Sequence, residues 1–286
     1  YPSNLQEWLD WQQTLHPQNI DFKLERIKSV YEKLNIKSVA DKVIIVAGTN
    51  GKGSTVAILE SILFENKFSV GTFTSPHIKR YNERIKINKE EVTSAELIES
   101  FKVIDKLRGE TTLTYFEFAT LTAFYLFSKK NLDYVVLEVG LGGRLDATNI
   151  IDSTLAIITS IGIDHTEFLG TTIDSIALEK AGVMRSSSPC IYADQNPPSV
   201  LLSYAKKNCS NFLYNQNDFF TKILDTEWIW KSNLGKKLTL PLLPLRGDFQ
   251  YNHAAAALQA LELIEPTILE NTELLNNGIT NISLMG

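Results

Sequence analysis

The sequence predicts an α/β fold, a mostly parallel sheet flanked by helices, with a small antiparallel β appendage towards the C-terminal end. Three observations predict it. Val43–Ala47, Tyr134–Val139 and Leu155–Thr159 are apolar on both faces, the pattern of strands buried inside a parallel sheet. The stretches between such runs return to helical spacing, so strands and helices alternate. A Gly-rich turn separates the first strand from the helix after it, which is how a βαβ unit opens.

The elements follow in order. Asn4 to Leu34 reads helical: Leu5, Trp8, Leu9 and Gln12 share a face, and after Pro17 the pattern resumes through Phe22, Ile27, Val30 and Leu34. Val43–Ala47 is the first strand. Ser54–Asn66 is a helix through Val56, Leu59, Ile62 and Leu63, and Ser69–Phe73 a second strand. Thr93-Ser94-Ala95-Glu96 is a capping box that starts a helix running to about Leu107. Tyr115–Lys129 is an apolar helix, followed by the strands Tyr134–Val139 and Leu155–Thr159. Thr172–Met184 is a helix, Cys190–Tyr192 a strand and Pro198–Lys207 a helix. Beyond Asn208 the style changes. Phe219–Leu240 alternates weakly, Trp228 and Trp230 stand two apart on one strand face, and Gly235-Lys236 suits a hairpin turn. Helices resume at Tyr251–Ile264 and near Thr267–Leu275. Leu284-Met285-Gly286 ends the chain with no obvious closing element.

At roughly 150 residues per domain, 286 residues allow two domains or one large one. Hydrophobic residues at 44% and charged residues at 21% supply a sizeable core and argue against wholesale disorder. Lys plus Arg is 28 against 33 Asp plus Glu, a net charge of -5, which argues against a dedicated nucleic-acid or anionic-membrane binder. No apolar run reaches the roughly 18 residues of a transmembrane helix, and Tyr1-Pro2-Ser3-Asn4 does not open a signal peptide or supply an initiator Met. Cys190 and Cys209 make neither a disulfide framework nor a zinc cluster and read as cytoplasmic thiols.

Gly48-Thr49-Asn50-Gly51-Lys52-Gly53-Ser54 follows the first strand and opens a helix. Glycines let backbone N–H groups close around phosphate oxygens, the helix N-terminus adds partial positive charge, and Lys52 adds a full one. The strict P-loop pattern fails twice: Val46 stands where its first Gly would be, and Gly53 stands where Ser or Thr should follow the Lys. A phosphate site is the expectation; a plain Gly-rich turn is the alternative.

The spelling G-T-N-G-K-G-S resembles the ATP loop of folylpolyglutamate synthases and dihydrofolate synthases, in the Mur ligase superfamily. Peptidoglycan Mur ligases typically carry Thr directly after the Lys, so Gly53 favours the folate branch. Thr74-Ser75-Pro76-His77-Ile78 resembles the family's T-S-P-H segment. Glu138 to Asn149 resembles its E-V-G-L-G-G-R-x-D-A-T-N motif. Asp164-His165-Thr166, Leu169-Gly170 and Glu179-Lys180-Ala181-Gly182 resemble its D-H-x-x-x-L-G…E-K-A-G run. Together these cover most of residues 43–185 in the family's order. The resemblance implies a Mur ligase central-domain-like P-loop ATPase fold over 1–286. Its parts are a parallel core at 43–207, the appendage at 208–245 and closing helices at 246–286. A C-terminal glutamate-binding domain, usual in the family, is expected to be absent from this chain.

Several residues also carry a reading of their own. Glu138 ends a buried strand, where ligands of open α/β sheets gather, and a carboxylate there is paired, protonated or metal-bound. Ser75 lies just past a strand end and can offer a hydroxyl oxygen, and His165 reaches the same edge by a short loop. The resemblance implies Mg²⁺ ligation by Ser75, Glu138 and His165. Glu179-Lys180 alone reads as a solvated helix pair; the resemblance implies a carbamylated Lys180, which turns an ammonium into an anion. Gly140–Gly143 with Asp146 reads as a tight turn, and the resemblance implies contact with a pterin-bearing substrate, Asp146 as a hydrogen-bond partner. Tyr115-Phe116-Glu117 opens a helix and matches a family segment near the pteroate; packing of Phe116 and Phe118 into the core is the alternative. Leu24-Glu25-Arg26 resembles a segment near the same pocket. Asn252 matches a family Asn near the adenine, and His253 beside it is expected to be structural.

The activity implied is an ATP-dependent acid–amino-acid ligase. ATP phosphorylates the carboxylate of a dihydropteroate or folate, and the amine of L-glutamate displaces phosphate. Lys52, Lys180, His165 and Glu138 are the expected catalytic groups. ATP, the pterin and glutamate are the expected partners of a cytoplasmic enzyme, monomeric when full length. The alternatives are another Mur-type ligase or a non-catalytic P-loop nucleotide-binding module.

Overall fold

The computed structural model describes residues 2–284; the sequence readings of Tyr1 and of Met285 and Gly286 lie outside them. Helices α1 (Leu5–Thr14) and α2 (Leu24–Leu34) open the chain. Asn4 caps the first by accepting from the Glu7 N–H at 3.0 Å. The single helical stretch read from Asn4 to Leu34 is therefore two helices. Residues 15–23 between them are irregular, because Pro17 cannot supply the N–H that a continuing helix needs.

The sheet elements follow. β1 (Lys42–Ala47), α3 (Lys52–Glu65) and β2 (Val70–Phe73) form the first βαβ unit. Two short strands, β3 (Ile85–Ile87) and β4 (Glu90–Glu91), come next, then α4 (Ser94–Arg108) and α5 (Tyr115–Phe127). Capping boxes start both helices, Thr93 with Glu96 and Thr114 with Glu117. β5 (Tyr134–Glu138), β6 (Leu155–Ile158), α6 (Thr166–Leu169), α7 (Ile173–Ala181), β7 (Cys190–Tyr192), α8 (Ser199–Asn208) and β8 (Phe212–Tyr214) continue the alternation. β9 (Phe219–Ile223), β10 (Glu227–Ser232) and β11 (Lys237–Pro241) form the small sheet, and α9 (Phe249–Ile264) and α10 (Thr272–Thr280) follow.

The main sheet runs β4-β3-β2-β5-β1-β6-β7-β8, parallel from β2 to β8, with β3 and β4 antiparallel at one edge. The parallel α/β expectation is borne out. β8 pairs with β7, so the main sheet continues past residue 207 into the stretch assigned to the appendage. The three-stranded antiparallel sheet is the appendage, with Trp228 and Trp230 both buried on one face. Gly235, at φ 99, sits in the turn between β10 and β11.

Side chains alternate across each strand. Val43, Ile45, Ala47, Val135 and Leu137 face a core shared with α1, α2, α4 and α5. Ile44, Val46, Val136, Leu155 and Ile157 face a core shared with α3, α9, α10 and the small sheet. The doubly apolar strands are thus covered on both faces. β1 lies between β5 and β6, so the connections diverge to either side of it. Its C-terminal edge is the crevice in which open α/β sheets place ligands. No described helix is long and apolar enough to cross a membrane.

Candidate functional site

The glycine loop leaves β1 at that edge. Gly48 has φ 146, and a Cβ there would stand 1.8 Å from Thr159 Oγ1. The loop is braced on the end of β6: Thr49 N–H donates to the Ser160 carbonyl at 2.9 Å, and Asn50 N–H to Ser160 Oγ at 3.1 Å. Gly51, at φ 84, is the N-cap of α3. Lys52 Nζ folds back to donate to the carbonyls of Gly48 at 3.0 Å and Thr49 at 3.3 Å. A cation, two glycines with positive φ and the first N–H groups of a 14-residue helix therefore converge on one spot.

Strand order places β5 beside β1, and β2 beyond it. Glu138 at the end of β5 therefore lies between the glycine loop and the Thr74-Ser75-Pro76 segment. It is buried, and Oε2 accepts from the Ser75 N–H at 3.0 Å, its one hydrogen bond among the described residues. A Cβ on Gly53 would stand 3.8 and 3.9 Å from the two carboxylate oxygens. Burial pushes the Glu138 carboxyl up to about 7, against the opposing pull of the Ser75 hydrogen bond and Lys52. A buried carboxylate with a single hydrogen bond, beside a serine hydroxyl and a phosphate-type loop, fits a hard divalent cation. Groups of three or more His, Cys, Asp and Glu suited to a metal are absent among the described residues. A cation here would have two such side chains at most and would complete its shell with hydroxyl, water or phosphate oxygen.

His165 caps α6 at φ 47 and is half exposed, its Nε2 3.5 Å from Asp164 Oδ2. It shares with Ser75 the wall of an apolar cavity of about 480 Å³, but it makes no direct bond to Glu138. Lys180, near the end of α7, is buried, and its ammonium has no hydrogen bond or ion pair among the described residues. Burial first, and then the charge of Lys52, lower it to about 8, with Asp164 opposing. Its backbone is tightly held. A Cβ on Gly143 would approach the Glu179 carbonyl oxygen to 2.8 Å and the Lys180 Cα to 3.1 Å.

The cavity is lined by residues from the 19–24 segment, Ser75, Pro76, Arg84, Phe116, Glu117, the 140–147 loop and His165. Phe116 closes over Gly140, where a Cβ would meet its ring at 2.6 Å. Glu117 is largely committed: Oε2 accepts from the Thr114 N–H at 2.8 Å and Oε1 from Arg26 Nη2 at 3.1 Å. Asp146 is committed on both oxygens. Oδ1 accepts from the Thr148 N–H and hydroxyl at 2.9 and 2.6 Å, and Oδ2 from the Leu141 N–H at 2.9 Å. Asp146 thus shapes the loop, although it also lines the cavity. Tyr115 stands beside this cavity and does not line it. Residues 115 and 116 lie about 100° apart around the helix, so while Phe116 faces this cavity, Tyr115 lines a separate one with His77 and Tyr81, under the Arg84 guanidinium.

A third cavity, about 570 Å³, borders the other side of the glycine loop, lined by Asn50, Thr159, Ser160, Asp194, Phe249, Asn252 and His253. Asn252 Oδ1 accepts from Asn215 Nδ2 at 2.9 Å. His253 packs on the loop itself: a Cβ on Gly51 would fall 2.1 Å from its ring. Burial lowers His253 to about 4, so it is neutral, with Nδ1 3.1 Å from Gln250 Oε1. His253, expected to be structural, borders the third cavity, and Arg84 and Asp21, which no motif marks, line the apolar one. Their place in the site arises from tertiary approach, and nothing in local spacing signals it.

Residues 46–260 match the Mur ligase middle domain. Over 99% of its length the chain is 43% identical to the dihydrofolate synthase/folylpolyglutamate synthase of Haemophilus influenzae and 40% identical to that of Escherichia coli. It spans 63% and 66% of those curated relatives, somewhat less than two thirds of their length. Among solved structures, E. coli FolC in complex with DHPP and ADP superposes with a TM-score of 0.90 at 39% identity, covering 99% of this chain and 67% of that one. The bifunctional enzyme of Yersinia pestis complexed with AMPPNP and Mn ion superposes with a TM-score of 0.89 at 40% identity, with the same coverage.

Proposed function

This chain belongs to the Mur ligase superfamily and, within it, to the dihydrofolate synthase/folylpolyglutamate synthase family, and from that premise we propose that it serves an ATP-dependent ligation joining L-glutamate to the carboxylate of a dihydropteroate or folate. One observation carries the reading. Ser75 and Pro76 line both the apolar cavity and the groove that holds Glu138 and Gly53. A planar acid in the cavity and a triphosphate on the glycine loop would therefore meet at Ser75.

In this reading the terminal phosphoryl group passes to the substrate carboxylate, and the glutamate amine displaces phosphate from the acyl phosphate. Lys52 and the N–H groups of residues 48–54 bind and orient the phosphates, and Lys52 exchanges its carbonyl partners for phosphate oxygen. Ser75, Glu138 and His165 would hold Mg²⁺, which supplies charge neutralisation on the transferring group. The Yersinia pestis structure complexed with AMPPNP and Mn ion supports a divalent cation beside a nucleotide. Phe116 and the 140–147 loop hold the heterocycle in a dry wall. Asn252, with Asn50 and Phe249, borders the space for the base. Lys180 is the group for carbamylation: burial keeps part of it as neutral amine near pH 8, and addition to CO₂ with loss of a proton would give an anion at the same edge. The two cysteines are unpaired, in keeping with a cytoplasmic setting.

The test is ADP release by a protein that includes this chain, with 7,8-dihydropteroate or tetrahydrofolate and with or without L-glutamate. ADP release should require both the pterin and the amino acid. ATP hydrolysis at one rate regardless of either would refute the reading.

A further inference from the structure

A single aromatic contact joins two parts of this site. Phe22, in the irregular segment between α1 and α2, lines the apolar cavity. Its ring meets Phe168 with 5.8 Å between centroids and 65° between planes. Phe168 does not line the cavity. It is 39% exposed and sits in α6, the four-residue helix that His165 caps. The N–H groups of Phe168 and Leu169 both donate to the His165 carbonyl, at 2.9 and 3.0 Å, so these residues and His165 move as one turn. Leu169 pins that turn from below. It is buried, and a Cβ on Gly142 would come within 3.0 Å of its Cδ2. Phe168, the turn's exposed aromatic residue, packs on Phe22. The segment bearing Phe22 is itself anchored, since Asp21 is held by Arg26 at 2.6 Å and lies 3.3 Å from His16.

We propose that Phe168 is a positioning residue: its contact with Phe22 sets how His165 faces the cavity, so that a planar heterocyclic acid in the cavity and a divalent cation at the His165 edge strengthen each other's binding. This inference rests on the function proposed above. A flat ligand filling the cavity packs against the inner side of Phe22 and holds that ring outward against Phe168. The turn then stays in one orientation, and the cation meets a preset His165. Linkage makes the effect reciprocal: whatever factor the acid adds to cation affinity, the cation adds to the acid's. Phe168 stands behind Phe22 and does not itself line the cavity, so its truncation removes the connection without removing a ligand contact.

The experiment measures Mn²⁺ affinity of the chain from the electron paramagnetic resonance of free Mn²⁺, with AMPPNP throughout, and with or without 7,8-dihydropteroate. Dihydropteroate should tighten Mn²⁺ by about fivefold, the scale of one aromatic contact. Phe168→Ala should bring that factor to about one, and Phe168→Leu should restore most of it. Phe22→Ala, which reaches the contact from the other side, should also abolish the factor. An unchanged factor in Phe168→Ala overturns the proposal. So does Mn²⁺ affinity weakened equally with and without dihydropteroate, which is the signature of a merely structural α6. If the wild-type chain binds both probes with no coupling, the positioning role fails and the functional reading stands. If it binds neither, the functional reading fails and the positioning role with it.

Discussion

Replacing Glu138 by Gln should make the metal-free protein more stable, in a way that depends on pH. The Glu138 carboxyl is buried against the first turn of α3 and holds one hydrogen bond, and burial raises it from 4.5 to about 7. Folding therefore favours the protonated acid. The stability tied to that preference is full below about pH 4.5 and is lost as pH rises through about 7. The whole interval corresponds to about 3 kcal/mol. Glutamine keeps an acceptor for the Ser75 N–H and removes the charge. Urea unfolding in EDTA, followed through the buried tryptophans Trp8, Trp228 and Trp230, should show the variant level with wild type near pH 4.5 and up to about 3 kcal/mol more stable at pH 8. Saturating Mg²⁺ should shrink that gap, because it binds only the wild-type carboxylate well. A variant equal to or less stable than wild type at pH 8 without metal would show that folding does not favour the protonated Glu138 carboxyl.

Lys52→Ala should weaken ATP binding by roughly 1.5–3 kcal/mol, the scale of a charge-assisted contact; an unchanged dissociation constant by calorimetry would sink the phosphate-loop assignment. Lys180, lowered to about 8 by burial and Lys52, should take up ¹³C-labelled CO₂ increasingly as pH rises from 7 to 8.5. The carbamate carbon signal should vanish in Lys180→Ala, and a spectrum identical in the two proteins would rule out the modification at this residue. Gly51→Ala should destabilise the fold by a few kcal/mol, since φ 84 and a Cβ 2.1 Å from the His253 ring both oppose it. Thermal melts within a degree of wild type would contradict the packing described. His253→Ala in the same background should recover part of the loss.

The strands most visible in the sequence were those whose burial is double. β1, β5 and β6 are covered on both faces, so apolar residues appear at every position and no phase is needed to find them. β3, β4 and β8 escaped because they are two or three residues long and lie at the edges, where Lys86, Glu90 and Glu91 are tolerated. The site divides in the same way. The glycine loop is legible because its chemistry is local: consecutive residues supply the φ angles, the cation and the helix N-terminus. Tyr115 and Phe116 line different cavities because adjacent helical residues diverge by about 100°, and a motif does not carry the phase. Asp146 is spelled like a binding residue, yet its oxygens are held by Leu141 and Thr148. His253 and Phe22 act through contacts with Gly51 and Phe168, each made across more than a hundred residues of chain. Nothing in their immediate neighbours announces such meetings.

In the proposed reaction a carboxylate in the apolar cavity receives the phosphoryl group from a nucleotide on the Gly48–Ser54 loop. Oxygen transfer tests it most directly. With 7,8-dihydropteroate labelled by oxygen-18 in its carboxylate, a protein that includes this chain, ATP, Mg²⁺ and L-glutamate should release inorganic phosphate carrying oxygen-18. The bridging oxygen of an acyl phosphate leaves with phosphate when the amine attacks the carbonyl carbon. Phosphate free of that label during glutamate-dependent turnover, with its new oxygen drawn from water instead, would exclude an acyl phosphate.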